Sequence, residues 1–229
     1  MKNAKKPKGV MDISYFHGRE TKLSLKYRLA RRTKEVVQSI IKYHKSPEQI
    51  LDLGTADGKM LSLIKNKLPK LNCVGLEYSK ELAKANKDKK IKIFVGDVLK
   101  PPAAVKKKKH DVIIATAILE HVKSPKQFTK VCYQLLKKDG LVILTTPDPI
   151  WDKIATAVGH LPKEDHQFTL TIKQIIKLFE KAKFKTLEEK KFMFSPIGFP
   201  AEEEIEKILR FLNLEFLMAN QLLVFKKTK

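Results

Sequence analysis

Three acidic residues stand at the ends of short apolar runs: Asp52 in Ile50-Leu51-Asp52-Leu53, Glu77 closing Asn72-Cys73-Val74-Gly75-Leu76, and Asp97 after Ile91-Lys92-Ile93-Phe94-Val95-Gly96. Runs of this kind read as buried strands of a parallel sheet. Carboxylates at such strand ends accept hydrogen bonds from hydroxyl, amine and ammonium groups. A fourth run, Asp111 to Thr116, leads to Glu120-His121. Histidine changes charge near neutral pH and can take a proton from an acceptor such as a phenol or an enol.

After Asp52 the chain turns through Leu53-Gly54-Thr55-Ala56-Asp57-Gly58 into a helical pattern. Glycines in such a turn let backbone approach a ligand, and the following helix presents free N–H groups. A pyrophosphate needs glycines spaced as G-x-G-x-x-G, whereas here Ala56 separates Gly54 from Gly58, and Lys59 and Met60 follow. A carboxylate below the loop repels phosphate and attracts ammonium, so a zwitterionic amino-acid tail fits better. Asp52 and Glu77 lie 25 residues apart, the length of one βαβ crossover.

These elements resemble the class I S-adenosylmethionine-dependent methyltransferases. Asp52-x-Gly54-x-Ala56-x-Gly58 is similar to that family's D-x-G-x-G-x-G motif, with alanine at the middle glycine; alanine is tolerated there if φ stays negative. Asp111-Val112-Ile113, Leu119-Glu120-His121-Val122 and Leu135-Leu136-Lys137 through Gly140-Leu141-Val142-Ile143-Leu144 to Pro147 resemble the branch acting on quinones, lipids and other small molecules. The resemblance runs from residue 47 to about 185. It implies S-adenosylmethionine as cofactor, with Asp52, Gly54, Thr55, Ala56, Asp57 and Gly58 at its methionine end, Glu77 on the ribose diol with Tyr78 beside it, Asp97 and Val98 at the adenine, and Ala115 along the crevice. His121 is the candidate general base, and the alternative is that Glu120 and His121 hold the covering loop. Tyr15, His17, Asp148 and His166 are second-line candidates. Some relatives bind a divalent metal through E-x-x-E-H, but Ala117 stands where the first Glu would be, and two ligands are too few. No metal is expected.

The implied fold is α/β: a Rossmann-like, seven-stranded, mostly parallel sheet with helices on both faces, an antiparallel last strand, an N-terminal helix and a helical insertion between the last two strands. Residues 1–46 read as a tail and capping helix and 47–229 as the cofactor-binding domain, with 195–214 a substrate-side insertion. The apolar spacing Leu25, Leu29, Val36, Val37, Ile40, Ile41 predicts a helix from Glu20 to Tyr43 after a polar lead-in. In that lead-in Tyr15, Phe16 and His17 either touch the acceptor or anchor a disordered tail. Helices are further expected over 127–137 and 171–182, with Thr169 or Thr171 as cap, a loop-rich stretch after Trp151 running to His166, and strands within 183–194 and over 216–226. The insertion opens with a Glu run suited to a helix N-terminus, and its stripe of Phe199, Ile205, Ile208, Leu209, Phe211 and Leu212 is either core or the wall of an acceptor pocket or membrane-facing cap.

The chain has 229 residues, 43% hydrophobic, and a net charge of +22. No apolar run reaches the roughly 18 residues of a membrane span. The basic first residues lack the apolar core of a secretory signal. Cys73 and Cys132 fall in buried elements, so a reducing cytoplasm is expected. The charge suits a polyanion or an anionic lipid surface, yet only five of the 47 basic residues are arginine, whose fork serves base and phosphate recognition. A small-molecule or amphiphilic acceptor is therefore favoured, with peripheral membrane contact compatible. The alternatives are an RNA methyltransferase, whose N-P-P-(Y/F) signature is absent at Ala115-Thr116-Ala117-Ile118, and a non-catalytic cofactor- or RNA-binding scaffold.

Overall fold

In the computed structural model, which describes Met11 and residues 13–157, 168–195 and 197–228, the apolar runs pair edge to edge. The strands β1 (Gln49–Leu53), β2 (Asn72–Glu77), β3 (Lys92–Val95), β4 (His110–Thr116), β5 (Leu136–Pro147), β6 (Phe184–Phe192) and β7 (Asn220–Lys227) form one sheet in the order β3-β2-β1-β4-β5-β7-β6. β1 to β5 pair in parallel, while β7 runs antiparallel to both β5 and β6. The chain builds outward from β1 to β3, then returns to build from β4 in the opposite direction. That reversal opens a crevice at the carboxyl ends of β1 and β4, where open α/β sheets bind ligands.

The helices are α1 (Ile13–Thr21), α2 (Leu23–Tyr43), α3 (Lys59–Lys67), α4 (Lys80–Lys84), α5 (Ala103–Lys106), α6 (Pro125–Leu135), α7 (Pro149–Ala157), α8 (Ile172–Lys181) and α9 (Glu202–Phe211). The period of two along a strand divides the core into two layers. On β4, Ile113 and Ala115 pack with Phe128 of α6 and Ile175 and Phe179 of α8, whereas Val112 and Ile114 pack with Val36 and Ile40 of α2 and Leu61 and Ile64 of α3. Each such side chain contributes about 1.5–3 kcal/mol of burial.

The structure departs from expectation in four places. The N-terminal helix is two helices, and part of the lead-in is α1. Lys22 N donates to Gly18 O (2.8 Å) and Thr21 Oγ1 to His17 O (3.0 Å), closing α1 before an extended Lys22 (φ −84°, ψ 120°) starts α2. The stretch after Trp151, expected as loop, begins instead within α7, which runs from Pro149 to Ala157. Asp148 Oδ1 accepts from Ile150 N (3.0 Å), and Pro149 occupies the first helical position, a start signal present in the sequence. The helix expected over 127–137 is α6, shifted to 125–135 because Ser124 caps it by accepting from Gln127 N (3.2 Å). Finally β7 begins at Asn220, since residues 215–217 form a 3-10 turn whose Phe216 O accepts from Trp151 Nε1 (3.1 Å). Thr171, of the two threonines proposed, caps α8 in a capping box with Gln174. His166 lies outside the described residues.

The insertion folds as α9 and is held to α2 by carboxylates more than by its stripe. Glu206, buried to 1% exposure, accepts from Arg31 Nη2 (2.7 Å), Arg210 Nη2 (3.1 Å) and Met193 N (2.7 Å). Glu202 accepts from Tyr27 Oη and from Ser195 N (2.7 Å). Of the stripe, Leu209 is buried, while Ile208, Phe211 and Leu212 face outward.

Candidate active site

The turn after β1 is built from residues in the left-handed region: Gly54 (φ 77°), Ala56 (φ 54°) and Gly58 (φ 76°). The expectation of negative φ at Ala56 is therefore wrong, and this residue carries a strain of about 1–2 kcal/mol that a glycine would not. The strain is held by neighbours. Gly54 N and Thr55 N both donate to Leu76 O (2.8 and 3.3 Å), and Ala56 N donates to Glu77 Oε2 (2.8 Å). Gly75 makes the close approach feasible, since a Cβ there would stand 2.4 Å from Thr55 Cγ2. The space beside Gly54 is also taken, for a Cβ on it would meet Ile118 Cδ1 at 2.8 Å.

Three sequence-predicted carboxylates converge on the ends of β1 and β2. Asp52 is buried under the turn beside Thr55, and its Oδ1 has no hydrogen-bond partner within the protein. Burial pushes the Asp52 carboxyl up to about 7; the Thr55 hydroxyl bonded to the carboxyl and the Arg19 charge oppose the rise, and the Glu77 charge adds to it. Glu77 accepts from Ser79 N (2.8 Å) as well as Ala56 N; burial raises its pKa, and these backbone donors work against the rise. Asp57 accepts from Lys59 N (3.2 Å) at the start of α3 and is paired with Arg19. Asp97, after β3, is part-buried and accepts from Leu99 N (2.8 Å); Val98 is buried and Tyr78 half exposed. Ala115 is packed wholly inside the core with Ile113.

Arg19 is the candidate site residue that sequence reasoning passed over. It reaches from α1 across 38 residues of sequence to Asp57, is almost fully buried, and lies over the Tyr15 ring at 4.9 Å. The available signal was rarity, one of five arginines in a lysine-rich chain. Its Nε is buried and without a hydrogen-bond partner.

His121 sits part-buried in a 3-10 turn, Leu119–His121, where its backbone N–H donates to Ile118 O (3.0 Å). Beside this turn lies a small cavity lined by Leu119, Glu120, Thr146, Asp152, Thr169 and Leu170. Gln221 Nε2 pins its wall by donating to Thr146 Oγ1 (3.1 Å), Pro147 O (3.0 Å) and Leu170 O (3.0 Å). Of the second-line residues, Asp148 caps α7 and pairs with Lys191 (2.6 Å), a structural role, and His17 is exposed.

The fold and crevice define a cofactor-binding α/β domain, and comparison with known proteins specifies it. A methyltransferase-domain family model matches residues 24–189, and the chain belongs to that family, with S-adenosylmethionine as its cofactor. A ubiquinone biosynthesis O-methyltransferase of Glaesserella parasuis serovar 5 (strain SH0165) is 28% identical over 114 residues, 46% of this chain and 48% of the relative. The match thus spans about half the length of that curated protein. A structure of the Haloferax volcanii Trm112 methyltransferase activator in complex with a methyltransferase aligns with a TM-score of 0.69 and 15% identity, covering 96% of this chain and 100% of the other. The plantazolicin methyltransferase BpumL with S-adenosylhomocysteine aligns at 0.63 and 18%, covering 94% and 89%. Identities this low carry the fold alone.

The unpaired buried atoms fit the cofactor's chemistry. Asp52 Oδ1 is an acceptor without a donor, which an ammonium would supply, and Arg19 Nε is a donor without an acceptor, which a carboxylate would supply.

Proposed function

We propose that this protein transfers the methyl group of S-adenosylmethionine to a small-molecule or lipid-like acceptor. The observation that supports the reading is the apolar surface next to the turn bearing His121: Ile150 and Ile154 are exposed on α7, beside a small cavity whose lining combines Leu119 and Leu170 with Glu120, Asp152, Thr146 and Thr169. In this reading Asp52 and Thr55 hold the ammonium, Arg19 the carboxylate, Glu77 the ribose hydroxyls and Asp97 the adenine amine, while Val98 and Tyr78 flank the base. The bound cofactor supplies an electrophilic methyl on a positively charged sulfur. The protein's main task is alignment, worth up to about 7–11 kcal/mol in well-oriented systems. His121 takes the acceptor's proton as its oxygen or nitrogen lone pair attacks. The insertion at 195–214 shapes acceptor choice, and the buried thiols Cys73 and Cys132 suit a cytoplasmic setting.

A second reading, RNA as acceptor, is favoured by the net charge of +22. Methylation assays with labelled S-adenosylmethionine and two acceptor pools, solvent-extractable lipids and quinones or total RNA, separate them. Label is expected in the extractable pool, and incorporation into RNA alone would overturn the reading. His121→Ala is expected to lower turnover by about 10²–10⁴ with cofactor affinity unchanged. Calorimetry showing no heat with S-adenosylhomocysteine at millimolar concentration would end both readings.

A further inference from the structure

Three of the five arginines are matched by carboxylates: Arg19 by Asp57, Arg31 by Glu35 (2.9 Å) and Glu206 (2.7 Å), and Arg210 by Glu206 (3.1 Å). Arg28 and Arg32, one turn apart on α2, have no ion-pair partner among the described residues. Arg28 Nε donates to Ser24 O (3.3 Å). Arg32 Nη2 donates to Asn220 Oδ1 (2.9 Å), while its Nε is buried and bonded to nothing. Both side chains are part-buried, so two neighbouring positive charges are partly withdrawn from water with only neutral hydrogen-bond partners. Burial lowers the Arg28 pKa, Arg32 lowers it further, and the Tyr15 phenol opposes them. Lone buried charge of this kind is costly unless something supplies the opposite sign, and a chain rich in acids elsewhere on α9 has placed none here.

The location indicates what supplies it. Towards the cofactor turn, α1 carries Tyr15, whose ring lies under the Arg19 guanidinium at 4.9 Å. Asn220, held by Arg32, begins β7 opposite Pro147, the last residue of β5. Arg32 therefore stands by the carboxyl end of β5, with Arg28 one turn earlier on α2. The cofactor's own carboxylate is accounted for by Arg19, the arginine whose charge acts on Asp52.

We propose that Arg28 and Arg32 form a fork for an oxyanion of the acceptor, a carboxylate or a phosphate, so that the substrate is an acidic small molecule or acidic amphiphile anchored there while another of its atoms receives the methyl group. Planar guanidinium forks bind both oxyanions bidentately. The assignment rests on the methyltransferase reading above.

The test uses the full chain saturated with S-adenosylhomocysteine and titrated with inorganic phosphate at constant ionic strength. Wild type is expected to bind one phosphate in the millimolar range. Arg28→Gln and Arg32→Gln should each weaken phosphate by about tenfold or more, the worth of a charge-assisted hydrogen bond, with Arg→Lys intermediate and S-adenosylhomocysteine affinity within about twofold. Equal phosphate binding in wild type and variants, or none in wild type, overturns the proposal. So does a tenfold loss of S-adenosylhomocysteine affinity in Arg28→Gln that is absent for its decarboxylated analogue, which would assign the fork to the cofactor's carboxylate. Failure of S-adenosylhomocysteine to bind wild type at all is a separate result: it removes the methyltransferase reading and leaves phosphate binding to be read on the free protein.

Discussion

At the scale of single residues, Asp52 shows how a binding group is kept at the expense of the free protein. Its folded pKa of about 7 lies above the ordinary 3.8, so the folded chain holds a proton that the unfolded chain releases. The contribution to stability is fully present below pH 4 and is lost as pH rises to 7. Asp52→Asn should therefore raise the stability of the free protein at pH 8 by about 2 kcal/mol or more, measured by denaturant melts, while removing S-adenosylhomocysteine binding. In wild type the affinity should climb as pH rises toward 7, because an ammonium ligand requires the ionised carboxylate, and then level off. A pH-independent affinity would place the ammonium elsewhere. Ala56 is the other strained position in the turn, and its hydrogen bond to Glu77 holds it at φ 54°.

At the scale of elements, α9 illustrates how an insertion is attached. An apolar stripe and a run of glutamates each suggest a different packing, and the structure turns Glu202 and Glu206 inward while Phe211 stays 86% exposed. Glu206 accepts from two arginines, Arg31 being shared with Glu35, and from the Met193 N–H just past the end of β6. Removing one partner of such a buried cluster leaves the others charged and unpaired. Glu206→Gln should destabilise the protein by about 3–5 kcal/mol, and α9 should become the first site cut in limited proteolysis. A variant that melts like wild type with α9 still protected would show that Leu209 and its neighbours, rather than the carboxylates, hold the helix.

At the scale of the molecule, two buried groups pull the pH profile in opposite directions. His110, at the start of β4, is buried, and burial pushes its pKa down to about 4 from 6.5 against the opposing effect of a hydrogen bond to the Val105 backbone. The unfolded chain therefore binds a proton that the folded chain refuses, and stability is lost as pH falls from about 6.5 to 4. Asp52 loses stability in the other direction across nearly the same window, so wild type should be flat between pH 5 and 7. In Asp52→Asn the His110 slope should emerge as stability rising with pH, and His110→Leu in that background should abolish it. A steep wild-type profile across this range would show that one of the two groups does not titrate as assigned. Below pH 4 the net charge of +22 grows as carboxylates protonate, and self-repulsion adds to the loss.

What the sequence alone determined is whatever depends on near neighbours along the chain. Strand–turn–helix order follows from apolar runs, glycines at Gly54 and Gly58, and crossovers of fixed length, and these place Asp52, Glu77 and Asp97 at one sheet edge before any coordinates are known. The start of α7 was also legible in Asp148-Pro149. Tertiary structure decided which charges meet. Arg31 and Glu206 are 175 residues apart and Arg19 and Asp57 are 38 apart, and no periodicity announces either pair. A glutamate on a helix has the same local pattern whether it faces water or a buried guanidinium; only the packing of α9 on α2, and of α1 over the cofactor turn, sets the dielectric and the partner that give each charge its role.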